Sequence, residues 1–118
     1  MTNEPFDPGI GATVRWLQGL GYETTDSGDG VSKPQAWYDS GEAMPVPHVN
    51  VRWPCPDTLA LAARHLAWLV RRAGVEVRPI GAEGCASIQA TYDPADGSAS
   101  LLVCGVDDAM LRRKGIVA

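Results

Sequence analysis

Residues 86–104 read ASIQATYDPADGSASLLVC, and this stretch predicts a β-hairpin. Two strand-like runs, 86–92 and 98–104, lie on either side of residues 93–97. The connecting residues contain a proline and an Asp-Gly pair, which favour a tight reversal between two strands. We therefore expect an antiparallel pair of strands here.

The segment before the hairpin predicts the strongest helix of the chain. It begins at Pro56-Asp57 and runs to about Ala73, where Gly74 supplies a stop signal. Its apolar residues recur at helical spacing and form one stripe, made of Leu59, Ala62, Ala63, Leu66, Leu69, Val70 and Ala73. Such a stripe is typical of a helix that packs on a core.

A second stripe on the same helix carries Leu61, His65, Trp68 and Arg72. A helix that is apolar on two sides is usually covered on both, by another helix or by a partner subunit. Aromatic anchors dominate interface energies, so we expect these four residues to form the contact of a homodimer. On this view His65 is a core or interface residue and not a ligand.

Weaker patterns predict the remaining elements. They are a helix from Asp7-Pro8 to Gly21, strands at 22–25, 46–53 and 75–80, and a short helix within 106–114 capped by Asp107. Helices on one face of a mostly antiparallel sheet make an α+β two-layer sandwich. The length fits a single domain, residues 1–118, with a long loop at 27–45.

The long loop carries Trp37 and Tyr38 but shows neither helical nor alternating periodicity. Loops of this length within a compact domain are usually functional or disordered. Two roles are open for the aromatic pair: they anchor the loop to the core, or they cover a bound ligand as part of a lid. The lid interpretation makes residues 31–44 the most mobile part of the fold.

Acidic residues and a histidine lie on either side of this loop. Residues 24–30 read TTDSGDG and residues 46–51 read VPHVNV. If the two strands pair, Asp26 and His48 come into side-chain contact, and Asp26, Asp29 and His48 become candidate acid/base groups or ligands of a divalent metal. The alternative is an Asx-turn, in which the aspartates accept local backbone N–H groups.

Familiar catalytic and nucleotide-binding signatures are missing from the sequence. An EF-hand with Gly30 at its sixth position would begin at Thr25 and end at Ala36, so both essential carboxylates are lacking. Neither a Walker loop, a Gly-x-Gly-x-x-Gly motif nor a Gly-x-Ser-x-Gly elbow occurs. No cofactor is therefore expected, apart from the divalent metal of the alternative hypothesis.

Charge and composition restrict the partners. A net charge of −4 argues against a protein that tracks nucleic-acid phosphates, and no apolar run is long enough to span a membrane. The first residues do not resemble a signal peptide, so we expect a cytoplasmic protein. The three cysteines are then expected to be reduced and mostly buried; a zinc site built from them with His48 or His65 lacks the usual ligand spacing.

Two resemblances bear on function. The stretch 24–30 followed by Pro47-His48-Val49 resembles a signature of small uncharacterised phage and prophage proteins, which implies an origin and no activity. Residues 48–104 are similar in element order to one βαβββ module of the vicinal-oxygen-chelate superfamily. That resemblance implies a metal-binding role for His48, although the last strand lacks the glutamate of that family.

The leading hypothesis is a cytoplasmic, homo-oligomeric binding or interaction protein of phage or mobile-element origin. It would act stoichiometrically on a host protein or a small ligand, for example in counter-defence. The competing hypothesis is a small metal-dependent enzyme that uses Asp26, Asp29 and His48.

Overall fold

The computed structural model describes residues 6–79 and 84–118. Within these residues the elements are α1 (Gly11–Gly19), β1 (Glu23–Gly28), α2 (Gln35–Ser40), β2 (His48–Arg52), α3 (Leu59–Ala73), β3 (Glu76–Val77), β4 (Cys85–Asp93), β5 (Ser98–Cys104) and α4 (Asp108–Arg113). A 3₁₀ turn, Pro56–Thr58, leads into α3.

The five strands form one sheet in the order β1-β2-β5-β4-β3. All neighbours are antiparallel except β3 and β4, which are parallel. The predicted α+β class and the predicted hairpin, now β4 and β5, are confirmed. The predicted strand at 75–80 is a strand only over Glu76–Val77, and Ile80 lies outside the described residues.

Helices α1, α3 and α4 pack on one face of the sheet and bury its core. The predicted stripe of α3 supplies Leu59, Ala62, Leu66 and Val70 to this core. The facing strand residues are Val49, Val51, Leu101 and Val103, which alternate with side chains on the opposite face. Because these four apolar side chains must face the core, they fix which side chains of β2 and β5 remain on the other face.

The first helix starts later than the sequence predicts, at Gly11, and Asp7 does not cap it. Its N-terminal N–H groups are instead bound by Asp108, which lies 96 residues further along the chain. The Asp108 carboxylate accepts from the backbone N of Ala12 at 3.1 Å and of Thr13 at 2.7 Å, and from Thr13 Oγ1 at 2.7 Å. Asp108 is only 3% exposed, so these bonds hold its charge inside the protein.

The predicted loop at 27–45 contains regular structure. Strand β1 extends into it as far as Gly28, and α2 occupies residues 35–40 before ending at Gly41 in the left-handed conformation. No residue of α2 is buried. A one-and-a-half-turn helix without a buried stripe has no apolar periodicity, which is why the sequence pattern did not reveal it.

We expect Asp108→Ala to lower the free energy of unfolding by about 3 kcal/mol, because it leaves buried donors of α1 without a partner. Chemical denaturation followed by circular dichroism measures this. The matched control is Asp107→Ala, which removes the local cap that accepts from the Met110 N–H at 2.9 Å and should cost only about 1 kcal/mol. Equal losses for the two variants would contradict the long-range capping role.

Candidate functional site

The two strands flanking the predicted loop pair with each other, as expected. In the β1–β2 register Gly28 lies opposite His48 and Asp26 lies opposite Asn50. Directly opposed residues project from the same face, so Asp26, His48 and Asn50 share the face away from the helical core. A β-bulge between Thr24 and Asp26 makes this possible: Thr24 lies opposite the core residue Val51, and the bulge shifts Asp26 to the other face.

This face forms the floor of a cleft of about 340 Å³. The floor residues are Asp26, Ser27, Gly28, His48 and Asn50, with Leu102 of β5. The opposite wall comes from residues 31–44, which we call the cover segment and which include α2. Trp37, Tyr38 and Met44 of this segment face the cleft.

The His48 imidazole lies at the base of the cleft and is 9% exposed. Its Nδ1 is 3.1 Å from the carbonyl oxygen of Val46. A carbonyl oxygen only accepts, so Nδ1 carries the proton in this contact and Nε2 of the neutral ring is an acceptor. Nε2 has no hydrogen-bond partner among the described residues, and none of their buried side-chain nitrogens or oxygens lacks a partner. Nε2 is therefore open to the cleft.

Glycine is required at two positions beside this histidine. A Cβ atom on Gly28 would lie 2.7 Å from His48 Cε1, so the ring packs directly on the glycine. Gly30 has φ +84°, and a Cβ atom there would lie 2.8 Å from the carbonyl carbon of Val46. The glycines of this stretch thus allow two parts of the chain to approach each other.

Asp29 belongs to a local turn and not to the cleft. Its carboxylate accepts from the backbone N of Val31 at 3.0 Å and of Ser32 at 2.9 Å, and from the Ser32 hydroxyl. Burial raises the pKa of Asp29, but these hydrogen bonds more than offset it and hold the pKa below its ordinary value. The Asx-turn interpretation is confirmed for this residue, and its oxygens are occupied by the chain itself.

Asp7 and Lys33 also line the cleft, which no pattern in the sequence predicts. Lys33 Nζ lies 2.9 Å from Asp7 Oδ1, and the hydrogen bond and charge of Asp7 raise the pKa of Lys33. The other oxygen, Asp7 Oδ2, accepts from the backbone N of Asp29 at 3.2 Å. Asp7 is thus used to join the start of the chain to the cover segment, which explains why it does not cap α1.

The cover segment is held by polar contacts and not by buried side chains. Tyr38 is half-buried, and its hydroxyl accepts from the backbone N of Lys33 at 2.9 Å. Trp37 is 45% exposed, so it does not anchor the segment in the core. Segments with few buried apolar contacts open at low free-energy cost.

The predicted metal ligands do not form a metal site. Across residues 6–79 and 84–118, no three His, Cys, Asp or Glu side chains are grouped so that they could hold an ion. Asp29 bonds to its own turn, and Asp26 is diagonal to His48 with no hydrogen bond between them. Diagonal neighbours in an antiparallel pair lie about 7–8 Å apart, further from each other than directly opposed residues. The cysteines do not assemble a site either; Cys55 is exposed, contrary to expectation, whereas Cys85 is buried.

The second stripe of α3 lies on the outer surface of the helix. Leu61 is 58% and Trp68 51% exposed. The His65 ring stacks on Trp68 with centroids 6.0 Å apart, and the Arg72 guanidinium lies 5.1 Å from the Trp68 ring centre. His65 is thus exposed and not a core residue. The four predicted interface residues form one continuous surface.

Comparison of the chain with protein families, with curated proteins and with solved structures finds no match. Among the described residues, no helix combines the length and apolar character that crossing a membrane requires. Any functional argument must therefore come from the geometry of the cleft and of the α3 surface.

We expect Gly28→Ala to move the His48 ring off its position and to lower stability by about 1–3 kcal/mol, as overpacking does. Loss of the Nδ1 bond to Val46 should appear as a change in the imidazole ¹⁵N chemical shifts. Gly19→Ala is the matched control, because a Cβ atom at this helical position meets nothing within 4 Å and should leave stability unchanged or raised. An unshifted His48 signal in Gly28→Ala would show that the ring does not depend on the glycine.

Proposed function

We propose that this protein binds a small polar ligand stoichiometrically in the cleft between the sheet and the cover segment. The observation that carries the proposal is the buried His48 ring, whose unpartnered Nε2 opens into the cleft. Small-molecule sites are concave and combine apolar walls with a few fixed polar groups. Leu102, Met44 and Trp37 supply such walls, and His48, Asp26 and Asn50 supply the polar groups.

The orientation of His48 favours binding over acid/base catalysis. A catalytic imidazole is usually oriented by a carboxylate, which stabilises the imidazolium that forms during the reaction. In this structure a neutral backbone carbonyl, that of Val46, orients the ring. Asp26 shares the cleft but does not contact the ring through a hydrogen bond. The arrangement suits a fixed acceptor better than a proton shuttle.

The size of the cleft favours a small molecule over a host protein as its occupant. A volume of about 340 Å³ lies at the lower end of the range for ligand pockets. The resemblance to phage and prophage proteins suggests a biological role for this binding. If the protein has such an origin, it would sequester a small molecule of the host in the cytoplasm, one molecule per cleft.

Hydrogen exchange and ligand screening test the cleft together. We expect the amides of residues 35–40 to exchange fast in the free protein, because α2 buries no side chain, and to slow when a ligand is bound. Ligands come from a mixed fragment library of cationic, neutral and anionic compounds, screened by ¹H–¹⁵N correlation spectra of the full chain. Hits should shift the signals of Gly28, Gly30 and the Trp37 indole.

The β4–β5 hairpin is the internal reference for exchange. If the amides of residues 35–40 are as protected from exchange in the free protein as those in the core of that hairpin, the cover segment is closed permanently. The proposal that it opens to admit a ligand is then wrong. If fragments bind but shift only signals of the α3 surface, ligand binding in the cleft is wrong.

We also propose that two copies associate through the outer surface of α3. Supporting this, Leu61 and Trp68 are both more than half exposed and lie about two turns apart on the same face of α3. Exposed apolar patches of this kind are typical of interaction sites. The exposed Arg64 and Arg71 flank the patch and would repel their counterparts across a twofold axis. Association should therefore strengthen as salt screens these charges.

Trp68→Ala should weaken the dimer about tenfold, as the loss of an aromatic anchor does. Analytical ultracentrifugation at two salt concentrations measures the change. Trp37→Ala is the control: it removes a similarly exposed tryptophan from the cleft and should leave association unchanged. A wild-type monomer at high micromolar concentration in high salt would refute self-association.

A further inference from the structure

The cleft carries more carboxylates than cations and has an exposed tryptophan on its wall, and from this we propose that its ligand is an organic cation with N–H groups, a guanidinium or a primary ammonium. The inference rests on the proposed ligand-binding function and assigns the chemical class of the ligand. It is carried by the charges, the acceptors and the aromatic wall of the cleft.

The charges of the cleft are negative in sum. Three carboxylates, those of Asp7, Asp26 and Glu42, line it together with one cation among the described residues, Lys33. Lys33 forms an ion pair with Asp7 at 2.9 Å, so their opposite charges cancel. Asp26 and Glu42 remain without an ion pair in the described part of the chain, so a cationic ligand would complete the charge balance.

The polar groups at the floor have the matching hydrogen-bond character. His48 donates its Nδ1 proton to the Val46 carbonyl, so Nε2, which is open to the cleft, can only accept in the neutral ring. Asn50 Nδ2 donates one of its two N–H groups to Thr25 Oγ1 at 3.0 Å, and its side-chain oxygen accepts no hydrogen bond from the described residues. These acceptors suit the N–H groups of a ligand. A carboxylate or phosphate would be repelled by Asp26 and Glu42, and the charge of Lys33 is already paired with that of Asp7.

The wall opposite the floor adds an aromatic surface. The cleft-lining Trp37 is 45% exposed, so much of its side chain is open to solvent. Guanidinium and ammonium groups are attracted to the face of an indole, and a planar guanidinium can stack on it. Since α2 carries Trp37, a bound cation would hold the cover segment against the floor.

Three probes of similar shape separate charge from fit: butylguanidinium, the neutral butylurea and the anion butyrate. Each is titrated into the full chain by isothermal calorimetry, with ¹H–¹⁵N spectra to locate the site. We expect butylguanidinium to bind in the cleft at least tenfold more tightly than butylurea, and butyrate to show no binding. Affinity should fall as salt rises.

Two substitutions test the residues, with a control of equal charge. Asp26→Asn should weaken butylguanidinium binding at least fivefold, and Trp37→Ala should do the same. Asp39→Asn removes one negative charge from α2 outside the cleft, where Asp39 bonds to Gln35 at 3.0 Å, and should leave affinity unchanged. All three positions are exposed, and thermal unfolding verifies that each variant is folded.

The outcomes distinguish this inference from the function on which it rests. Equal affinity for butylurea and butylguanidinium, or tighter binding of butyrate, overturns the cationic class but leaves ligand binding in the cleft intact. If Asp26→Asn and Asp39→Asn lose the same amount of butylguanidinium affinity, the loss comes from the change in net charge. The specific role of Asp26 is then overturned. If none of the three probes binds while other fragments shift the cleft signals, only the cationic class fails. If no fragment of any charge shifts them, both proposals fail.

Discussion

The buried carboxylate of Asp108 is the contact on which the geometry of both faces depends. It replaces the missing local cap of α1 and so fixes the first helix to the last one. Its own backbone N–H donates to the carbonyl of Gly9 at 3.0 Å, which places the residues just before α1. Asp7 in that segment then bonds to Asp29 and Lys33, so one wall of the cleft is positioned from the far end of the chain.

The two faces of the sheet differ: one carries the apolar core and the other carries the cleft. On one face, three helices bury a continuous apolar core that includes Leu17, Leu66, Leu101 and Leu111. On the other face, a thin cover segment is joined to the rest of the protein by polar contacts such as the ion pair of Lys33 with Asp7. Because the core does not include the cover, the cover can open without unfolding the domain. This separation lets the cleft keep polar groups that a core would not tolerate.

Local signals in the sequence predicted much of this fold. The Asp-Gly turn of the hairpin, the apolar stripe of α3 with Gly74 after it, and the cap by Asp107 each act within a few residues, and all three are present. The pairing of β1 with β2 agrees with expectation too, because the two strands flank the same loop.

The features that could not be predicted from the sequence depend on contacts between distant residues or on a register shift of one residue. Asp7 looks like a helix cap, and only the folded chain shows that Asp29 and Lys33 compete for its carboxylate. Asp26 and Asp29 look equivalent, but the register places one in the cleft and the other in a turn. Helix α2 buries nothing and therefore leaves no periodic pattern.

The bulge in β1 has a second effect, on how the sheet meets other chains. β1 and β3 are the edges of the sheet, and an edge strand exposes unpaired backbone groups that can recruit a further strand. The bulge at Thr24–Asp26 breaks the regular spacing of those groups on β1, and β3 is only two residues long. The bulge that turns Asp26 into the cleft thus also disfavours the addition of a further strand at this edge, so one irregularity both places a carboxylate in the cleft and protects the sheet against aggregation.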